Sequence, residues 1–291
     1  MTDDQSTADD QVWPAGDRSW MSWSDDTPPP AELHPEIPHP ARMYDYYLGG
    51  KDNFPADREA AEKVLALGPL VRISARANRA FLQRAVQRLS ELGVKRFIDI
   101  GTGIPTAGNT HEIAQRVHPD AEVAYLDNDP IVLVHSRALL AGTAPGRTTV
   151  IRADLREPKV VLADPTIQRL LEPGEPVALL LFAVLHFIDD ADDPYALVRE
   201  LLDALPAGSY LALSHATADF AAQGEGGRGP AIYRAASAQL TLRGKDEVAR
   251  FVEGLELLEP GLVTAAQWRP DQPPADTDPQ VAIWAAVARK P

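Results

Sequence analysis

The chain has 291 residues, 45% of them hydrophobic and none of them cysteine, and it carries a formal net charge of −14. That length allows one large domain with appendages, and that hydrophobic share allows a full core. The acidic balance argues against a nucleic-acid backbone as partner, the lack of cysteine excludes disulfides and thiolate metal sites, and no apolar run is long enough to cross a bilayer.

Residues 1–38 are expected to be a disordered acidic tail. Residues 1–40 hold nine acids against one base, Arg18, and Pro28, Pro29, Pro30, Pro35 and Pro38 interrupt any periodicity. Trp13, Trp20 and Trp23 sit in this stretch and offer apolar surface for folding back on the body. No basic segment precedes an apolar one, so no signal peptide is expected, and a cytoplasmic protein without a membrane partner is the expectation.

From Pro40 the pattern turns helical. The spacing predicts helices over 41–48, stopped by Gly49-Gly50, over 56–67, before Gly68-Pro69, and over 70–92, with Phe81, Ala85, Leu89 and Leu92 on one face. These make a helical segment over residues 39–92. Strands and helices then alternate through 93–291. Strands are predicted at 95–100, 122–127, 148–154, 176–184 and 209–215, and helices at 109–117, 129–140 and 193–205. Asp129-Pro130 and Asp193-Pro194 each supply an N-cap followed by a proline at the first helical position. Continuous apolar strands between helices imply an α/β fold with a mostly parallel sheet covered on both faces. Segments 255–259 and 281–289 would add edge strands, one of them antiparallel.

The motif "FIDIGTGIPT" (97–106) runs a strand into Asp99, Gly101, Thr102 and Gly103. Glycines let a backbone approach a ligand, and the helix that follows would aim its free N–H groups at the same place. A dinucleotide site would want a third glycine where Thr106 stands, and Asp99 would repel a pyrophosphate. An acid two residues before Gly-x-Gly instead suits an ammonium group, the pattern of the S-adenosylmethionine site in Rossmann-like methyltransferases. Asp127, ending the second strand, is placed to accept both ribose hydroxyls, with Asn128 beside it. Asp129 is better explained as a helix cap. Asp154, ending the third strand before Leu155, either caps its turn or accepts from an adenine amino group. The fourth strand ends apolar at Phe182, in "FAVLHFIDD". The acids Asp189, Asp190, Asp192 and Asp193 fit a turn before a capped helix, so no metal is expected.

Three segments, "PARMYDYYLGGKDNFPAD" (40–57), "RANRAFLQRAV" (76–86) and "FIDIGTGIPT", closely resemble a bacterial family of S-adenosylmethionine-dependent methyltransferases long catalogued as a domain of unknown function. The likeness covers about residues 38–290. It implies a Rossmann-like class I methyltransferase, with a seven-stranded, mostly parallel sheet and an N-terminal helical cap. It also implies S-adenosylmethionine as cofactor and S-adenosylhomocysteine as product, and it supplies no acceptor. A small-molecule acceptor is the expectation. Within that frame "YDYYLGGKDNF" (44–54) is expected to be a lid, with Tyr44, Tyr47, Lys51 and Asn53 turned toward the ligands. Arg72, Arg76 and Arg79 share a helix face, and Arg76 or Arg79 could hold a carboxylate of cofactor or substrate. His186 and His215, near strand ends, are the candidate bases. Two rivals stay open: a non-catalytic module that binds the cofactor for sensing or assembly, and a dinucleotide oxidoreductase, against which Asp99 argues.

Overall fold

The cap begins where a proline follows a capping residue. In helix α1 (Pro40–Leu48), the ring of His39 accepts from the Ala41 N–H at 3.4 Å, and Gly49 ends the helix at φ 87. That left-handed backbone is one that glycine adopts without strain. Helices α2 (Pro55–Leu65) and α3 (Leu70–Glu91) follow. The structure, a computed structural model, describes residues 34–67, 70–140, 147–172, 174–221, 228–235, 239–272 and 281–291. The three tail tryptophans and Gly68-Pro69 lie outside the described residues. The last residues of the expected tail, 34–38, are described, and the Ile37 carbonyl accepts from Arg42 Nη2 at 2.5 Å.

The core proceeds as β1 (Arg96–Ile100), α4 (Thr110–Val117), β2 (Glu122–Asp127), α5 (Pro130–Leu140), β3 (Thr148–Arg152), α6 (Pro158–Ala163), α7 (Pro165–Leu171), β4 (Val177–Phe182), α8 (Pro194–Ala204) and β5 (Tyr210–Ala216). It ends with α9 (Arg228–Ala235), α10 (Lys245–Ala249), β6 (Glu256–Leu257), β7 (Val263–Thr264) and β8 (Ile283–Arg289). The strand order is β3-β2-β1-β4-β5-β8-β6, with β7 also paired to β8. Strands β1 to β5 are parallel, and β8 runs antiparallel beside β5. The expected seven strands are therefore present with one addition, the two-residue β7. Strand order reverses between β1 and β4, and such a switch point opens a crevice at the carboxyl ends of the strands.

Alternation along β4 divides the core. Leu179 and Leu181 pack with Val198 and Leu201 of α8 on one face, while Ala178, Leu180 and Phe182 meet Phe81, Ala85 and Leu89 of α3 on the other. Phe81 makes edge contacts with Phe182 at 5.4 Å and with Trp268 at 5.3 Å. Such aromatic pairs add about 0.5–1.5 kcal/mol beyond the area they bury. Helix α3 thus covers the sheet as well as belonging to the cap. Leu92, expected on its buried face, is 40% exposed because the helix has already ended at Glu91.

The loop after α1 wraps a buried carboxylate. Asp45 Oδ2 accepts from the Asp52 N–H at 3.0 Å and from Asn53 Nδ2 at 2.7 Å. Two further acids fasten the cap. Asp57, fully buried, accepts from the His39 and Phe54 N–H groups at 2.8 Å each and faces Arg42 Nε at 3.3 Å. Asp129 at the start of α5 receives His39 at 3.0 Å.

A methyl group on Gly50 would lie 1.9 Å from Asp45 Oδ1, and the carboxylate cannot swing aside freely because its other oxygen, Oδ2, is held by two bonds. Gly50→Ala is expected to reduce the unfolding free energy by about 1–3 kcal/mol. Urea unfolding reads this as an earlier midpoint at unchanged slope. An unmoved midpoint would mean that the Asp45 loop yields.

Candidate functional site

Strand β1 delivers Asp99 and Ile100 to a turn in which Gly101 has φ 74 and Gly103 has φ 67. A Cβ on Gly101 would meet Val184 at 2.5 Å, so the turn and the segment after β4 touch only because that position is bare. The Gly103 N–H donates to Asp127 Oδ2 at 2.9 Å, and the Asp129 N–H donates to Asp127 Oδ1 at 2.9 Å. Asp127, 7% exposed, therefore binds the glycine turn to the end of β2, and burial raises its pKa. Asp99 Oδ2 accepts from Thr110 Oγ1 at 2.7 Å, and its Oδ1 has no partner among the described residues. Burial pushes its pKa up to about 6, against the opposing pull of Thr110 and Arg79.

The helix after the turn does not offer free N–H groups as its sequence suggests. Helix α4 starts only at Thr110, and Glu112 Oε2 accepts from the Gly108 and Asn109 N–H groups at 2.8 and 3.2 Å, while Asn109 Oδ1 accepts from Thr106. The capping box closes that end.

A cavity of about 760 Å³ lies over these strand ends, within the size range of small-molecule sites. Its lining includes Asp99, Gly101, Thr102, Gly103, Asp127 and Asn128. Asp154, Leu155, Phe182 and Arg79 line it too, as do Tyr44, Tyr47 and His186. Arg79 Nη2 holds the loop after the turn, bonding to Thr106 O, Ala107 O and Asn109 Oδ1 at 3.1–3.3 Å. Its Nε is buried without a partner among the described residues. Among the described residues, no group of three or more His, Asp or Glu could hold a metal ion.

Several expected site residues stand elsewhere. Lys51, Asn53 and Arg76 are not in the lining, and Lys51 and Arg76 are exposed. The Asn53 amide donates to Asp45 and to the Gly50 carbonyl, and its Oδ1 accepts from Arg58 at 2.9 Å, so it staples the loop. The Asp154 carboxylate is filled. Oδ1 accepts from the Arg156 N–H and Nε at 2.9 Å each, and Oδ2 from Arg156 Nη2 and from Asn128 Nδ2 at 3.1 Å. Chiefly through Arg156, its pKa is held at about 2 despite partial burial. An adenine amino group would have to displace one of these donors.

The two histidines separate. His215 is fully buried and outside the lining. Its Nδ1 donates to Ala216 O at 2.7 Å and its Nε2 accepts from Arg243 Nη1 at 3.0 Å. It is a neutral core residue, with burial and Arg243 taking its pKa to about 3. His186 accepts the Ala216 N–H at Nδ1, 3.2 Å, so Nε2 carries the proton. Burial, His215 and Arg243 keep it neutral. In this tautomer His186 is a hydrogen-bond donor in the cavity wall and not a base.

Sequence reasoning passed over Asn78, Ser214, Phe187 and Tyr233. Asn78 Nδ2 donates to Tyr44 Oη at 2.9 Å, and Asn78 Oδ1 accepts from Ser214 Oγ at 2.5 Å. Ser214 Oγ also accepts from the Ala183 N–H at 2.9 Å, and Ala183 has φ 52. Tyr44 completes the chain by donating to Ala75 O at 3.0 Å. Asn78 had a signal, since it falls on the apolar stripe of Phe81, Ala85 and Leu89.

A doubly wound sheet with a glycine turn after β1 and an acid ending β2 is common to Rossmann-like nucleotide-binding proteins, the class I methyltransferases among them. The profile of the S-adenosyl methyltransferase family matches residues 26–291, and the chain belongs to that family. A DUF574 family protein from Streptomyces avermitilis is 47% identical, with 89% of this chain and 100% of that one covered at a TM-score of 0.84. A Thermobifida fusca protein, named provisionally as a methyltransferase, is 38% identical over 90% of this chain and 98% of that one, TM-score 0.83. An O-methyltransferase family protein from Burkholderia thailandensis shares the fold at 15% identity and a TM-score of 0.50, covering 88% and 64% of the two chains. A search of curated proteins gave no match. The cofactor of the family is S-adenosylmethionine.

The histidine assignment has a signed consequence. A histidine whose folded pKa is near 3 takes up its proton only on unfolding between pH 6.5 and 3, so stability falls as pH drops through that window. His215→Leu is expected to cost about 1–3 kcal/mol at neutral pH, because Arg243 loses an acceptor. It should also flatten the acid-side slope of stability against pH and leave S-adenosylhomocysteine affinity unchanged by calorimetry. A variant that folds normally but loses cofactor binding would return His215 to the site.

Proposed function

We propose that the protein transfers a methyl group from S-adenosylmethionine to a small molecule bound under the cap. The observation that carries this reading is the Gly101–Gly103 turn, bonded to Asp127 and facing an unpaired Asp99 oxygen, in the floor of a cavity roofed by α1 and α3. The residues present fit the cofactor. Asp99 Oδ1 is a free acceptor for an ammonium, and the buried, unpartnered Arg79 Nε is a donor suited to a carboxylate. Each Asp127 oxygen keeps a lone pair beyond its backbone bond, so the pair can accept the two ribose hydroxyls. Leu155 and Phe182 supply apolar surface for a purine.

When bound, the cofactor supplies a sulfonium methyl, and its transfer breaks the carbon–sulfur bond, returns the electron pair to sulfur and leaves S-adenosylhomocysteine. The protein's part is placement and exclusion of water. The Asn78–Tyr44–Ser214 chain fixes the cap against the ends of β4 and β5. His186 Nε2–H offers one donor to an acceptor oxygen. Among the described residues no lining group is set up as a strong base, which suits an acceptor that loses its proton to water or ionises readily.

Binding should follow the Asp99 carboxylate. Its pKa near 6 means that S-adenosylhomocysteine affinity falls as pH is lowered through about 6, since the neutral acid cannot pair with the ammonium. Without ligand the sign is opposite. An acid with a raised folded pKa favours the fold below that pKa and disfavours it above. Calorimetry across this range should show the loss in the wild type and a weak, flat profile in Asp99→Asn. A pH-independent wild type would remove Asp99 from the cofactor site.

Asp127→Asn is expected to weaken S-adenosylhomocysteine binding by about 1–3 kcal/mol, with no measurable NAD binding in either form. Clear NAD binding without S-adenosylhomocysteine binding would favour the oxidoreductase reading.

A further inference from the structure

Part of the cavity is not accounted for by the cofactor groups. Away from the strand ends, its wall is the cap's own apolar cluster: Val64 from α2, Val71 from α3, Phe187 after β4, and Leu240. Two phenols complete it, Tyr47 from α1 and Tyr233 from α9, with their hydroxyl oxygens 3.1 Å apart. We propose, resting on the methyltransferase reading above, that this part is the acceptor chamber. It takes an uncharged, ring-bearing molecule with an oxygen that the Tyr47–Tyr233 hydroxyl pair holds.

The hydroxyl pair is the first observation. Tyr47 is 2% exposed and Tyr233 8%, so both are withdrawn from bulk water. Two hydroxyls in one hydrogen bond use one proton. The second proton has no partner among the described residues. A buried donor left unpaired costs about 1–3 kcal/mol, and such groups in a cavity wall are ordinarily satisfied by what the cavity binds. The complement of an O–H donor is an acceptor atom on the ligand.

The second observation is charge. Burial raises the pKa of both phenols, that of Tyr233 to about 12, so the pair is neutral. His186 is neutral as well. Two acids reach this part of the lining, Asp189 and Asp192. Asp189 already accepts from the Ala191 N–H and from the Gln239 side chain, and Asp192 is exposed to solvent. The cations in the lining are Arg79, assigned above to the cofactor carboxylate, and Arg156, whose guanidinium is taken up by Asp154, so among the described residues an anion finds no uncommitted cation here and a cation no free carboxylate. A charged acceptor would lose its hydration without replacement.

The third is shape. His186 and Phe187 lie 4.4 Å apart and Phe187 and Tyr233 5.6 Å apart, each pair tilted. Phe187 is only half-buried although it belongs to the cap cluster, so part of its ring faces the cavity. Tilted rings along one wall present both faces and edges to an aromatic guest.

The test uses the full chain saturated with S-adenosylhomocysteine and four probes of one size: 2-naphthol, naphthalene, 2-naphthoate and 2-naphthylmethylamine. Binding is read by calorimetry or ligand-observed NMR. The naphthol should bind at least about tenfold tighter than either charged analogue, and tighter than naphthalene by about tenfold. In the double variant Tyr47→Phe, Tyr233→Phe, both partners of the pair are removed together and the rings stay, so the fold should tolerate it. There the naphthol should fall to the affinity of naphthalene while S-adenosylhomocysteine stays within about twofold. Tighter binding of the amine or the carboxylate would overturn the proposal, as would a naphthol preference that survives in the double variant. If S-adenosylhomocysteine itself fails to bind, the methyltransferase reading fails first and takes the chamber with it. If it binds and the naphthol does not, the chamber alone is wrong.

Discussion

The Asp127 carboxylate is the joint on which the site depends. One oxygen takes the Gly103 N–H and the other takes the Asp129 N–H. The first bond fixes a glycine turn whose dihedrals no other residue adopts without strain. The second sets the start of α5, where Asp129 reaches across to His39 and, more distantly, to Arg42. Arg42 in turn faces Asp57, which accepts the N–H groups at the starts of α1 and α2. A strand-end acid thus connects the glycine turn to the cap through largely buried groups. A buried carboxylate is costly unless paired, so each member of this chain holds its neighbour in place.

A second polar chain does the same work on the other side of the cavity. Asn78 joins Tyr44 of the cap to Ser214 of β5, and Ser214 holds the strained Ala183 at the end of β4. Between the two chains the cap is seated on the sheet at the glycine turn and at the β4–β5 edge. Tyr44, Tyr47 and Asn78 are therefore wall residues of a formed cavity. The tyrosines of "YDYYLGGKDNF" divide their tasks: Tyr44 joins the polar chain, Tyr47 meets Tyr233, and Tyr46 bonds to Glu62 outside the cavity. The double glycine, asparagine and aspartates of the same stretch build the loop around Asp45.

Much of the core was legible because its chemistry is local. Apolar runs between turns marked β1 to β5, and an acid before Gly-x-Gly with another ending the next strand marked residues that line the floor of the cavity. The Asp-Pro starts of α5 and α8 were read correctly. The same signal at Asp164-Pro165 was overlooked, although Asp164 caps α7 by accepting from the Thr166 N–H at 2.7 Å. Other features depend on contacts between distant residues. Tyr47 and Tyr233 are far apart in the chain, and nothing near either announces the other. His186 and His215 look alike at strand ends, and only Arg243 against His215 Nε2 tells the core residue from the wall residue. Lys51 and Asn53 were placed inward because polar groups beside glycines suggest a ligand, whereas Lys51 is exposed and the buried Asp45 carboxylate already supplies the reason for Asn53.

The most direct test of this account is a crystal structure of the chain with S-adenosylhomocysteine. It predicts the ribose hydroxyls on Asp127 and the amino group on Asp99 Oδ1, with the Gly103–Asp127 bond still near its present 2.9 Å and the Tyr47–Tyr233 part of the cavity left open beside the ligand sulfur. Ligand bound away from the strand ends, or a ribose held without Asp127, would contradict it.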